Sequence, residues 1–180
     1  MPQIVNRIKS EFGSLVNGNV ELFEPSMAIV RGAALYHHLN VKIERIVPHT
    51  YGYETYIDDV NQIKNILFKN SAFDPVTGTA YAECPMYSWP RLDSQTAVTY
   101  AVYESDFIKP ANGTDTMPLG SGQANGLSVT VQVPKEYLGK ATKYQLKVAF
   151  RLDKRGILEI IILDKNRKQV GHGQLTVKML

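Results

Sequence analysis

Two rhythms divide the chain. Up to about residue 40, apolar residues recur every three or four positions. Ile4, Ile8 and Phe12 fall on one side of a helical segment, with Val5 beside them and Gly13 following as a stop. The stretch NVELFEP reads as a short strand. Pro25 stands where a second helix can start, and Ile29, Val30, Ala33 and Leu35 continue it towards one side. Gly32 and Ala33 within that helix imply close packing against another backbone. From Thr50 onward the period is two. Val98, Tyr100 and Val102 share one face against Ala97, Thr99 and Ala101, and Leu127, Val129, Val131 and Val133 alternate with Ser128, Thr130 and Gln132. Leu146, Val148, Phe150 and Leu152 point inward where Lys147 and Arg151 point outward. DKRG and DKNRK mark the last turns. Residues 58–68 read as a helical turn or a strand, and FDPVTGTAYAECP is loop-rich. The pattern predicts a mainly β chain with N-terminal helices, a helical piece joined to an antiparallel β-sandwich.

One segment breaks the alternation. In ILEIIIL, Leu158, Ile160 and Ile162 make one face, while Ile157, Glu159, Ile161 and Leu163 make the other, which is almost as apolar. A sandwich strand needs one apolar face for the core. The second face either lies covered within the sheet, with Glu159 at an edge, or lines a groove where something apolar docks. Tyr51, Tyr53 and Tyr56 crowd together in YGYETY, and Tyr100 adds another on a strand. Tyrosine suits places where one end of the ring is dry and the other wet.

Composition narrows the function classes. A chain of 180 residues holds one domain, or one domain and a piece of another. The net charge is +3 and the basic residues are scattered, which argues against nucleic acid and membrane surfaces as partners. No stretch of about 18 apolar residues offers a membrane span, and the amphipathic, mixed-charge N-terminus is not a signal peptide. The single cysteine, Cys84, excludes an internal disulfide and suits a reducing cytoplasm. Candidate chemistry is thin. His37 and His38 are adjacent and diverge on a helix, with no Cys or carboxylate at ligand spacing. Asp58 and Asp59 diverge in the same way. Cys84 has no activating histidine near it in sequence. The glycines of SGQANG and TGTA precede no helix, so they make no phosphate cradle. No catalytic constellation emerges, and the chain is not expected to be an enzyme.

The segment from Val148 to Val177 resembles the end of the substrate-binding β-domain of the seventy-kilodalton heat-shock chaperones. That family's pattern is an apolar strand, Asp-x-x-Gly-Ile-Leu, a second strand, Asp-Lys and a final strand; Asp153, Gly156, Ile157, Leu158, Asp164 and Lys165 fall in place. PHTYGYET, residues 48–55, resembles the domain's opening, Pro-x-x-x-Gly-x-Glu-Thr. SQTAVTYAVYESD, residues 94–106, resembles the strand that ends in a Val-Tyr-Glu-Gly-Glu-like turn. EPSMAIVRGAALY, residues 24–36, resembles the last helix of the family's ATPase lobe, and MPQIVNRIKSEFG the helix before it.

The resemblance implies a fragment without the helical lid. Residues 1–40 would be the remnant of the ATPase lobe, 41–47 the interdomain linker and 48–180 the peptide-binding β-sandwich. It implies a molecular chaperone that binds extended apolar peptides of unfolded proteins. ATP and magnesium would belong to the full-length parent, leaving this chain no cofactor; Ser26 stands where the family favours an acidic nucleotide contact. Carried over by position, Val98 matches the central pocket valine, Ile157 the groove isoleucine, Tyr56 the arch residue, and Tyr53 and Tyr100 replace groove aliphatics. The arch partner falls within CPMYSWPRL, with Tyr87 and Trp89 as candidates. In the linker, VKIER places Lys42 and Glu44 where the family has leucines and Arg45 where it has an aspartate, a charge reversal that weakens docking. A divergent protein-interaction or scaffold module without general peptide binding is the alternative. The apolar stripes of the two orphaned helices, Ile4, Ile8 and Phe12 with Ile29, Ala33 and Leu35, need a cover, so self-association through residues 1–38 is expected.

Overall fold

The structure, a computed structural model, describes residues 46–109 and 113–179. Among the described residues nine strands follow in order: β1 Thr50–Ile57, β2 Val60–Leu67, β3 Thr79–Glu83, β4 Ala97–Ser105, β5 Thr116–Pro118, β6 Gln123–Gln132, β7 Leu146–Asp153, β8 Ile157–Asp164 and β9 Gln169–Thr176. They form two sheets, ordered β5-β2-β1-β4-β6 and β3-β7-β8-β9, in which every strand pairing is antiparallel.

Alternation explains the core. Tyr51 and Tyr53 from β1, Tyr100 and Val102 from β4, and Leu127, Val129 and Val131 from β6 pack with Leu146, Val148, Phe150 and Leu152 of β7 and Leu158, Ile160 and Ile162 of β8. Each of these runs places every second side chain on one face, as strand geometry requires. The sheets close together where β9 lies over β6, and the glycines of β9 permit it. A Cβ on Gly171 would stand 2.8 Å from Val131 Cγ2, and one on Gly173 2.7 Å from Val129 Cγ2.

The second face of β8 has an answer in this arrangement. Ile157, Ile161 and Leu163 lie on the outer side of their sheet, half-buried rather than open. Longer side chains from the neighbouring strands cover part of it: Arg151 of β7 is ion-paired with Glu159, and His172 of β9 lies 3.4 Å from the same carboxylate.

The expected class, mainly β with N-terminal helices, requires correction. The described residues are antiparallel β, and the helical elements among them are 3-10 turns of three residues, at Leu119–Ser121, Lys135–Tyr137 and Ala141–Lys143. The segments read as helices, residues 2–12 and 25–38, lie outside the described residues, as does the self-association assigned to residues 1–38, so a helical remnant of an ATPase lobe has no support. Of residues 58–68, ambiguous in sequence, the first two are a hairpin turn and residues 60–67 are β2. Asp58 and Asp59 both take positive φ, 50° and 63°, the backbone of a tight two-residue hairpin turn. Ile63, Ile66 and Leu67 imitate helical spacing because β2 buries residues on both of its faces, and the ladder shifts register between Tyr51 and Gly52.

Of the stretch assigned to the linker, residues 41–45 lie outside the described residues. Its last two join the sandwich: Ile46 bridges Ala72, and Val47 is fully buried, bonded through its backbone to Ser71 and Asn70 at 2.9 Å each. Among the described residues no helix is long and apolar enough to cross a membrane.

Candidate functional site

The loop between β3 and β4, residues 84–96, is tied down along its length. Cys84 donates its backbone N–H to the Val148 carbonyl at 2.8 Å. Ser88 and Leu146 exchange backbone hydrogen bonds of 2.7 Å each way. Further on, the Asp93 carboxylate accepts from the Thr142 backbone at 3.0 Å. Between the last two anchors, Trp89, Pro90, Arg91 and Leu92 run along the wall of a cavity of about 1030 Å³, opposite residues of β1, β2 and β4. That volume lies at the upper end of the range of small-ligand sites.

Two tyrosines stand on the buried side of this cavity. Tyr53 of β1 and Tyr100 of β4 meet edge to face, centroids 5.6 Å apart and planes at 68°. Such pairing adds about 0.5–1.5 kcal/mol to their burial. Each hydroxyl has a partner: Tyr53 donates to Cys84 Sγ at 3.9 Å, and Tyr100 shares a 2.7 Å hydrogen bond with Ser88 Oγ. Burial pushes both phenols up, Tyr53 far above its ordinary value and Tyr100 to about 12, with the Ser88 hydrogen bond acting in the opposite direction on Tyr100. They are neutral across the physiological range and act as apolar rings with tethered tips. Neither phenol is poised as an acid or base.

Nearer the mouth, Val98 is half-buried and packs against the core beneath it. Tyr56 carries the Arg91 guanidinium 3.5 Å above its ring centroid, and Tyr87 has the Lys147 ammonium 5.0 Å from its own. Tyr56, Met86, Tyr87, Trp89 and Leu92 are all exposed large apolar side chains, and all five line this cavity.

Of the residues carried over as groove positions, the structure brings together Tyr53, Tyr56, Val98 and Tyr100, and sets Tyr87 and Trp89 in the same wall. Ile157 is elsewhere. It opens β8 in the other sheet, pairs with Thr176 of β9, and receives its place from the Asp153 carboxylate, which accepts its backbone N–H at 2.9 Å. From the loop, the guanidinium of Arg91, which also belongs to CPMYSWPRL, reaches Tyr56. Lys64, Pro90, Arg91 and Leu92 were not singled out in sequence. For Lys64 a signal existed, a charged residue in β2 between Ile63 and the Ile66–Leu67 pair; for the others only the fold brings them into place. Among the described residues no group of three or more His, Cys, Asp or Glu side chains is placed to hold a metal ion. No family model matches the chain, and no curated protein matches it.

Proposed function

We propose that this chain binds extended apolar peptide segments of unfolded proteins in the cavity between β1, β4 and the 84–96 loop, the activity that its resemblance to the heat-shock chaperones implies. The observation that carries the reading is the gathering of five exposed apolar side chains around a cavity whose buried side is formed by Tyr53 and Tyr100. Exposed apolar area collected in one place, beside a concave site, is the mark of a surface kept for a partner. Scattered singly, the same residues would be ordinary.

The energetics favour weak, tolerant binding. One Leu side chain placed against Val98 contributes roughly 1.5–3 kcal/mol. Main-chain hydrogen bonds to an extended segment add about 0.5–1.5 kcal/mol each and carry little sequence information. Against this stands an association cost on the order of 4–15 kcal/mol. Micromolar dissociation constants follow. ATP plays no part in binding by this chain on this reading.

Fluorescence anisotropy with a panel of unrelated labelled peptides, each with a central Leu, tests it. Saturable micromolar binding across the panel is expected. Saturation by no peptide, or by one sequence alone, would favour the scaffold alternative and remove the chaperone reading.

A further inference from the structure

Four of the residues lining the cavity are buried: Tyr53, Pro90, Tyr100 and Lys64. The first three suit an apolar occupant. Lys64 does not. It stands opposite Tyr53 in the β1–β2 ladder. Its side chain is 7% exposed, and its ammonium is ion-paired with the carboxylate of Asp115, which is 29% exposed. A buried ion pair is seldom more stabilising than apolar residues of similar volume, so packing gives no reason for a lysine at this place. The other charged residues of the lining are differently situated. Glu54 is engaged by the Tyr103 hydroxyl, while Asp59 and Arg91 are exposed to solvent. Lys64 is therefore the one buried charge among these lining residues.

We propose that Lys64 is a specificity-determining residue of the cavity, pairing with a carboxylate of the bound segment, so that the preferred ligand is an apolar stretch with an Asp or Glu beside its anchoring residue. The proposal rests on the peptide-binding reading above. An ammonium carries three donors, so it can hold Asp115 and a ligand carboxylate together. Charge-assisted bonds of this kind are roughly twice as strong as neutral ones, and the exclusion of water by an apolar ligand strengthens them further. Asp115 keeps the ammonium compensated before any ligand arrives, which a lone buried charge would not be.

The test uses the full chain and pairs of labelled Leu-centred peptides that differ only in Asp against Asn, placed in turn at each of the three positions on either side of the Leu. At the best position the Asp peptide should bind wild type about tenfold more tightly than its Asn twin. That ratio should vanish in Lys64→Met, whatever the variant's affinity for the Asn twin. Asp115→Asn, which keeps the ammonium and removes its competitor, should preserve or raise the ratio, and it decides the matter with wild type if Lys64→Met does not fold. Asn twins that bind without any advantage for Asp, or an advantage that survives Lys64→Met, would overturn the role of Lys64 and leave the peptide reading standing. Absence of binding by every peptide of either kind would overturn both.

Discussion

A valine at position 98 leaves room in the cavity wall that a larger side chain would fill. Val98 is paired with Val131 across the β4–β6 ladder, and its side chain shares the cavity with Tyr100 two residues on. Val98→Phe keeps strand propensity but extends a ring either into the cavity or against the core. Overpacking of the second kind costs about 1–3 kcal/mol. Because the open side offers space, the ring is expected to turn outward: the melting temperature changes little while the dissociation constant for Leu-centred peptides rises at least about tenfold. Normal binding by a folded variant would remove Val98 from the site. The tyrosines at 53 and 100 pull the other way. Their hydroxyls are tied to Cys84 and Ser88, so neither ring is free to swing aside for a ligand. Tyr53→Phe gives up a hydroxyl bonded to a thiol, and unfolding in urea should show a loss below about 1 kcal/mol. Tyr100→Phe strands Ser88, which retains the Leu146 carbonyl as acceptor at 3.3 Å, so its cost should stay within about 1–2 kcal/mol.

At the scale of elements, β3 needs explanation, because it is short and lies at a sheet edge with β7 as its one neighbour. Glu83 at its end supplies a clip. Its carboxylate takes two bonds from Arg167, at 3.1 and 2.8 Å, and lies 3.1 Å from the Lys147 ammonium, while Tyr81 donates to it at 3.0 Å. Arg167 belongs to the β8–β9 turn, so the clip reaches across the sheet from β3. The Arg167 guanidinium first, then Lys147 and Tyr81, outweigh burial and hold the Glu83 carboxyl down at about 2. A depressed carboxyl contributes stability that is complete above the ordinary carboxylate range and is lost as pH falls through the folded value. Thermal melting should therefore weaken between about pH 5 and pH 2, and Glu83→Gln should flatten part of that slope while lowering stability near pH 7. The loss at neutral pH should be about 1 kcal/mol, since the Arg167 side chain is largely open to water and screening limits the pair. A melting profile of Glu83→Gln parallel to wild type across the acid range would show that the clip holds nothing. Other lowered carboxyls, Asp106 and Glu159 among them, share the acid sensitivity, and the variant isolates the Glu83 share.

For the whole molecule, legibility followed the number of buried faces. Alternating strands such as β6 and β7 announce themselves: Leu127, Val129 and Val131 have polar neighbours, and Leu146, Val148, Phe150 and Leu152 alternate with Lys147, Ala149 and Arg151. β2 did not, because Ile63, Lys64, Asn65, Ile66 and Leu67 are buried in succession and no alternation survives. The same ambiguity surrounded β8, whose second apolar face turned out to be the outer face of its sheet. The cavity was legible only in part: Tyr53, Tyr56, Val98 and Tyr100 sit on two neighbouring strands whose pairing a local pattern can suggest. Arg91 and Leu92 arrive through a loop whose path is set by bonds to β7 and the turn after β6, and no local pattern encodes contacts so distant in sequence. Sheet-on-sheet closure is equally nonlocal, and it makes the last prediction. Gly171 looks like a weak point in a strand, yet its missing side chain is what lets β9 lie on Val129 and Val131. Gly171→Ala would put a methyl where the nearest atoms, 2.8 and 2.9 Å away, belong to stiff valine side chains. Urea unfolding should show a loss of about 1–3 kcal/mol. Gly120→Ala, with nothing within 4 Å of its Cβ position, should stay within about 0.5 kcal/mol of wild type. Equal stability of the two variants would mean that β9 does not close against β6, and the two sheets would have to be joined through other contacts.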